Sequence, residues 1–114
     1  MSATIDRATF TALQDTAGKD FVSELVGTFL EEAPGMLGDL HAALRAGEPE
    51  RFRRAAHSLK SNGLTFGALD FAAIAKRLEL AGLEGARAPD APDVGALDAE
   101  YARVAAALEA LRHA

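Results

Sequence analysis

Residues 53–68 read RRAAHSLKSNGLTFGA, and the apolar side chains here and just before recur at the spacing of an α-helix. When the segment is wound at about 100° per residue, one narrow stripe collects the side chains that should face a core. That stripe consists of Phe52, Ala56, Leu59, Gly63 and Phe66. The segment therefore predicts an amphipathic helix that packs this stripe against the rest of the chain.

The opposite face of this predicted helix is mostly polar, with a histidine at its centre. The face consists of Glu50, Arg53, Arg54, His57, Lys60, Ser61 and Leu64. Because cationic side chains lie one turn before and one turn after His57, we expect its imidazole to point outward, toward a partner. Ser61 is small and leaves open surface beside the ring.

Length and composition predict one helical domain. The chain has 114 residues, 49% of them hydrophobic, which fits a single domain over residues 1–114. Aromatic residues make up only 6%, whereas Ala, Leu, Glu and Arg are abundant, and this composition favours helix over strand. We therefore predict an all-α protein.

Charge and hydropathy argue against several classes of partner. The formal net charge is −5 and no basic run is long enough to follow a phosphate backbone, so nucleic acid is not an expected partner. The absence of cysteine excludes a disulfide framework and a thiolate metal site. No apolar run approaches the ~20 residues that span a bilayer, and no secretory signal follows Met1. We expect a cytoplasmic monomer without membrane contact.

The first two helices are marked by their end signals. Asp6 can cap the start of a short helix that ends at Gly18. The longest helix runs from Asp20 to Gly47 and contains Pro34, which removes one backbone hydrogen bond. Because the apolar phase continues across Pro34, we expect a kink beyond which the axis resumes. Two separate helices are the alternative.

Three further helices follow. Pro49 starts the third and Gly67 ends it, and the fourth runs from Ala68 to about Gly82. Residues 84–95 lack an apolar period and contain two prolines, so they are predicted to form a loop. The last helix, from Gly95 onward, has an apolar seam at Leu97, Tyr101, Val104, Leu108 and Leu111. The fold prediction is an up-down-up-down four-helix bundle with a short extra N-terminal helix as a lid.

The candidate chemistry centres on His57. Residues 63–67 lack the spacing and the preceding strand of a phosphate-binding loop. No two of His41, His57 and His113 lie one helical turn apart, so no helical zinc site is expected. A neutral imidazole nitrogen can still form a covalent intermediate, and a phosphoryl group suits it because phosphoryl transfer depends on positioning and electrostatic stabilisation. Lys60 can supply a positive charge, whereas His41 and His113 are interpreted as ordinary surface histidines.

Residues 57–68, HSLKSNGLTFGA, resemble the signature of histidine-containing phosphotransfer (HPt) domains of bacterial and plant two-component phosphorelays. That signature is His, any residue, Leu, Lys, usually Gly, then small residues and a Gly-Ala pair. The resemblance covers nearly the whole chain, including the proline of the second helix and the Gly-Glu-Pro entry to the third. It implies that His57 accepts the phosphoryl group and that Lys60 stabilises it. Ser61 stands where the family usually has Gly, which adds a hydroxyl near the docking surface.

The resemblance also implies the surroundings of the histidine. In the family a Glu or Gln on the following helix holds the other ring nitrogen, and counting along the motif places Glu79 there. Such a carboxylate would fix the tautomer and make the reacting nitrogen more basic. The expected partners are a response-regulator receiver domain and a histidine kinase. The receiver would supply Mg²⁺, so this chain is expected to hold neither metal nor cofactor.

The sequence therefore predicts a phosphoryl carrier without catalytic turnover of its own. Arg53, Arg54, Ser61 and Leu64 are the candidate docking residues around His57. The alternative is a helical adaptor or dimerisation module that uses the same face without phosphorylation. An independent hydrolase or transferase is a weaker third possibility, since no second catalytic group is evident. The opening Met1 favours a free-standing protein over a domain of a larger kinase.

Overall fold

The computed structural model describes residues 3–87 and 93–112, and in these ranges every regular element is an α-helix. Helices α1 to α5 are Arg7–Ala17, Lys19–Ala46, Pro49–Phe66, Leu69–Ala86 and Asp93–Arg112. The all-α prediction is confirmed, and the bounds of α1, α2 and α3 lie within about one residue of those expected from the sequence.

Local capping chemistry sets several of the helix ends. The Asp6 carboxylate accepts a hydrogen bond from the backbone N–H of Thr9 at 3.1 Å, which satisfies a free donor in the first turn of α1. Gly47 and Gly67 end α2 and α3 with φ of 72° and 81°, in the left-handed region that glycine enters without strain. These ends follow from residues next to them in the sequence.

Helix α2 is continuous from Lys19 to Ala46, with Pro34 inside it. Ala33 and Leu37, on either side of the proline, are both buried, so the same face stays on the core across the interruption. Burial of this face offsets the lost backbone hydrogen bond. The expected continuation is confirmed, and the alternative of two separate helices is wrong.

The predicted end of α4 and the predicted loop after it are wrong in part. Gly82 leaves helical geometry with φ 69° and ψ −175°, but another helical turn follows up to Ala86. Leu83 and Ala86 in that turn are buried, and their burial holds the turn on the core. Helix α5 begins at Asp93, before Gly95. The rest of the predicted loop, 88–92, lies outside the described residues.

All five helices contribute to one core. Helix α3 packs most extensively against α4 and then α2, while α5 contacts both α4 and α2 and completes a ring. The largest fully buried side chains are Phe52, Phe71, Leu40, Leu59, Leu78, Leu97 and Leu108. The whole predicted stripe of α3, from Phe52 to Phe66, is buried. No helix within residues 3–87 and 93–112 has the combined length and apolarity needed to cross a bilayer.

The N-terminal segment closes one end of the bundle. Ile5 and Phe10 are buried in the common core. The backbone N–H of Asp6 donates a hydrogen bond to the carbonyl oxygen of Gly67 at 2.8 Å, which joins this segment to the end of α3. Helix α1 contacts α2 and α3, as expected of a lid.

Gly63 allows α3 and α4 to approach closely. A Cβ atom at this position would lie 3.0 Å from Cδ2 of Phe71 and 3.2 Å from Cβ of Ala72. Both distances are shorter than ordinary van der Waals contact. The glycine therefore removes side-chain volume from the point where α4 presses against α3, at a cost of ~1 kcal/mol in helix propensity.

Gly63→Leu should destabilise the fold by roughly 2–3 kcal/mol, because the added side chain overpacks the contact with α4. Gly38→Leu is the matched control, since Gly38 lies in α2 and a Cβ there meets nothing within 4 Å. The control should keep or raise stability by up to about 1 kcal/mol through helix propensity. Urea unfolding of both variants measures the difference, and equal midpoints would contradict the close approach.

Candidate functional site

Helix α3 carries His57 outward from the bundle. Ala56 and Leu59 are buried in the stripe that faces the core, so the helical period turns His57 toward solvent. The His57 side chain is 58% exposed. The prediction of an outward-facing imidazole is confirmed.

A carboxylate from α4 connects His57 to Lys60. Oε2 of Glu79 lies 2.8 Å from Nδ1 of His57, and Oε1 of the same carboxylate accepts a hydrogen bond from Nζ of Lys60 at 2.7 Å. Glu79 and Lys60 are mostly shielded from solvent, with side chains 17% and 22% exposed. The structure thus brings together His57, Lys60 and Glu79, the three residues predicted from the sequence and the family resemblance to take part in phosphoryl transfer.

The charge of Glu79 determines which ring nitrogen of neutral His57 carries the proton. The hydrogen bond that Glu79 accepts from Lys60 is the main cause that lowers its pKa, and its hydrogen bond with Nδ1 of His57 lowers it further, while burial acts in the opposite direction. Glu79 is therefore a carboxylate at neutral pH and can only accept hydrogen bonds. Nδ1 of His57 must then donate, which leaves the lone pair of a neutral ring on Nε2.

This arrangement can support attack by a ring nitrogen on an electrophile. Nε2 belongs to an exposed ring, while the opposite nitrogen is held by the carboxylate. A positive charge that develops on the ring during attack would lie next to that carboxylate and be stabilised by it. Lys60 has three N–H donors, of which Glu79 uses one, so others can bind oxygens of an incoming group.

Shallow grooves flank the histidine on both sides of α3. The groove toward α2 has a volume of about 340 Å³ and is lined by Met36, Asp39, Arg51, Arg54, Ala55 and Ser58. The groove toward α4 has a volume of about 270 Å³ and is lined by Lys60, Leu64, Leu69, Ala72, Ala73 and Lys76. The first combines two arginines and an aspartate with the apolar side chains of Met36 and Ala55. The second has an apolar floor between two lysines.

The four candidate docking residues occupy different parts of this surface. Arg54 lines the groove toward α2, and Leu64, which is 51% exposed, lines the groove toward α4. Arg53 is exposed and paired with Glu50 on the same helix at 2.8 Å. Ser61 is exposed. These residues surround His57 but do not converge on one point.

Helix α4 contributes a wall to the second groove that the sequence prediction of the docking surface does not include. Leu69, Ala73 and Lys76 recur at helical spacing and form a second, outward stripe beside the buried one. That spacing is visible in the sequence, next to the inward stripe that contains Phe71 and Leu78. Leu69 is 47% exposed, which is unusual enough for a large apolar side chain to mark the stripe as a candidate surface.

The other histidines have different surroundings. Nε2 of His41 lies 2.7 Å from Oδ2 of Asp98, so His41 connects α2 to α5. His113 lies outside the described residues. Within residues 3–87 and 93–112, no group of three or more His, Asp or Glu side chains is arranged to hold a metal ion.

Comparison with known proteins gives a family model and a solved structure. The model of the Hpt domain matches residues 24–113. The crystal structure of histidine-containing phosphotransfer protein B (HptB) from Pseudomonas aeruginosa PAO1 is similar over 99% of this chain and 97% of that chain. The TM-score is 0.86 at 28% sequence identity. No curated protein sequence gave a match.

Glu79→Gln should lower the free energy of unfolding by about 1 kcal/mol at neutral pH, because the charged hydrogen bond to Lys60 is lost. The folded-state pKa of Glu79 lies below its ordinary value of 4.5, so this contribution is present above that value. It disappears as the pH falls through the folded-state pKa, where the carboxylate is protonated.

The measurement is urea unfolding of the unaltered chain and of Glu79→Gln at neutral and acidic pH. Glu31→Gln, at an exposed position of α2, is the control and should show no such pH-dependent difference. A difference for Glu79→Gln that stays constant or grows in acid would contradict the assigned charge.

Proposed function

The chain belongs to the family of Hpt domains, and from that membership we propose that it carries phosphoryl groups between the proteins of a two-component phosphorelay. In this proposal His57 takes a phosphoryl group from an aspartyl phosphate of a receiver domain, or from a histidine kinase. It then passes the group to another receiver aspartate. The observation that supports His57 most directly is its exposed ring, with Nδ1 held by Glu79.

The proposed transfer occurs at Nε2. Its lone pair forms a bond to phosphorus while the bond from phosphorus to the donor aspartate oxygen breaks, and the electron pair leaves with the aspartate carboxylate. The proton on Nδ1 stays in place, so the ring becomes positively charged and the Glu79 carboxylate stabilises it. In the second transfer a carboxylate oxygen of the acceptor aspartate forms a bond to phosphorus while the bond from phosphorus to Nε2 breaks. The electron pair of the broken bond returns to Nε2, and the ring becomes neutral again.

We assign Lys60 to the phosphoryl oxygens and Glu79 to the orientation of the imidazole. A charged donor close to the reacting nitrogen stabilises the negative charge that spreads over the equatorial oxygens in the transition state. Because one carboxylate holds both side chains, their relative position is set before a partner arrives. Preorganisation of this kind lowers the cost of reaching the transition state.

The partner is proposed to cover His57 and both grooves. An aspartyl phosphate lies in an acidic pocket of its own protein, and Arg53 and Arg54 offer positive charge to such a surface. Leu64 and Ser61 offer apolar and small side chains on the same face. We propose that Mg²⁺ is supplied by the receiver domain. The chain then needs no metal or cofactor of its own and acts as a carrier without independent turnover.

We also propose that α2 to α5 alternate in direction, as in an up-down-up-down bundle. The ring of contacts from α2 through α3, α4 and α5 back to α2 supports this order. Only Gly47 and Glu48 separate α2 from α3, and only Gly67 and Ala68 separate α3 from α4. Connections this short favour neighbouring antiparallel helices.

His57→Gln should abolish acid-labile phosphoryl labelling of the chain by a phosphorylated receiver domain. His41→Gln is the matched control, because His41 is also a partly exposed histidine with a carboxylate 2.7 Å from its ring. The control should label as the unaltered chain does. Label that survives His57→Gln would overturn the proposal, and receiver binding without any transfer would favour the adaptor alternative.

Leu64→Gln should slow transfer from a phosphorylated receiver at limiting concentration by roughly tenfold, because an apolar docking contact is lost. Phe21→Gln is the control. Phe21 is 53% exposed, similar to Leu64, but it lies in the first turn of α2 and not on α3, the helix that carries His57. Phosphoryl transfer is quenched at successive times over a range of receiver concentrations, and these time courses give the second-order rate constant. Equal rate constants for both variants would remove Leu64 from the docking surface.

A further inference from the structure

Arg53 lies on the same side of His57 as Lys60. At about 100° per residue, Arg53 is displaced from His57 by about 40° around the helix axis, and Lys60 by about 60° in the same sense. Because Glu79 of α4 holds Lys60, this is the side that faces α4. Along the axis, Arg53 lies about 6 Å before His57 and Lys60 about 4.5 Å after it. The imidazole therefore lies between two cations on one edge of α3.

The neighbouring Arg54 is on the other side. The same count displaces it by about 60° toward α2, and it lines the groove that contains Asp39 and Met36. The two consecutive arginines are therefore not equivalent. Only Arg53 shares an edge with Glu79 and Lys60.

The negative charge of Glu79 also acts on Arg53. The hydrogen bond to Glu50 is the main cause that raises the pKa of Arg53, and the charge of Glu79 adds to it. The side chains of a helix also lean toward its N-terminus, so the ring of His57 covers the turn that begins at Arg53.

Lys60 alone does not balance the negative charge that a phosphoryl group would bring to the site, so a second cation would stabilise the phosphorylated form. A phosphoryl group brings about 1.5–2 negative charges at neutral pH. Lys60, three residues after His57, already contacts the negative charge of Glu79 at 2.7 Å. Arg53 is paired with Glu50, which lies three residues earlier and is 71% exposed. An exposed pair of this kind is weak, whereas arginine binds phosphate oxygens through paired, charge-assisted hydrogen bonds.

We infer, on the basis of the proposed function, that Arg53 exchanges Glu50 for the phosphoryl oxygens once His57 is phosphorylated. Arg53, one turn before His57, and Lys60, one turn after it, then hold the group from opposite directions along α3, while Glu79 stays on Nδ1 and Lys60. The groups that face the phosphoryl group are Arg53 and Lys60 from α3 and Glu79 from α4. This makes Arg53 a phosphoryl-binding residue as well as part of the docking face.

The test uses the purified chain without any partner protein. Potassium phosphoramidate phosphorylates His57: the phosphorus–nitrogen bond of the reagent breaks, ammonia leaves, and a new bond forms to Nε2. The phosphorus-31 resonance of phosphohistidine is then followed against pH to obtain the second pKa of the phosphoryl group. A nearby cation lowers that pKa, so Arg53→Ala should raise it by on the order of half a unit.

Arg77→Ala is the matched control. Arg77 is 57% exposed and paired with Asp93, and Arg53 is 56% exposed and paired with Glu50, so both variants remove one exposed, paired arginine. Arg77→Ala should leave the phosphoryl pKa unchanged, and Arg53→Lys should restore most of the shift. The Nε–H resonance of Arg53, and not that of Arg77, should move on phosphorylation.

Two failures can be told apart. If His57 is labelled normally but Arg53→Ala and Arg77→Ala give the same phosphoryl pKa, the inference about Arg53 is overturned and the proposed function stands. If neither phosphoramidate nor a phosphorylated receiver labels His57 of the unaltered chain, the proposed function is overturned and the inference with it.

Discussion

The close approach of α3 and α4 is the constraint on which the site depends. Gly63 leaves room for Phe71 and Ala72, so the two helices lie near enough for a side chain of one to reach the surface of the other. Glu79 follows Ala72 by seven residues, which returns it to the same face of α4. Its carboxylate then bridges His57 and Lys60. Packing in the core thus positions chemistry on the surface.

Much of this architecture could be predicted because it is set by neighbours in the sequence. The apolar stripe from Phe52 to Phe66 selects which face of α3 is buried, and it thereby turns His57 outward. Asp6, Gly47 and Gly67 end their helices through local hydrogen bonds or backbone conformation. Lys60 follows His57 by one turn, so its proximity is a property of the helix itself.

The parts that could not be predicted depend on contacts between distant segments. Gly82 is a reasonable helix end, yet α4 gains another turn because Leu83 and Ala86 find space in the core. The pairing of Glu79 with His57 joins residues of different helices, and only the family resemblance indicated it. Nothing in the sequence indicates the pairing of Glu79 with Lys60. Periodicity describes which face is buried, but not which partner the exposed face meets.

The hydrogen bond from Asp6 to Gly67 bears on how a domain of this kind can be transplanted. The family match starts at residue 24, whereas the bond lies between a residue ahead of that boundary and the end of the helix that carries His57. A chimeric signalling protein assembled only from the matched range would lose Ile5 and Phe10 from the core and expose the Gly67 carbonyl. The graft should therefore include the segment from residue 3 onward.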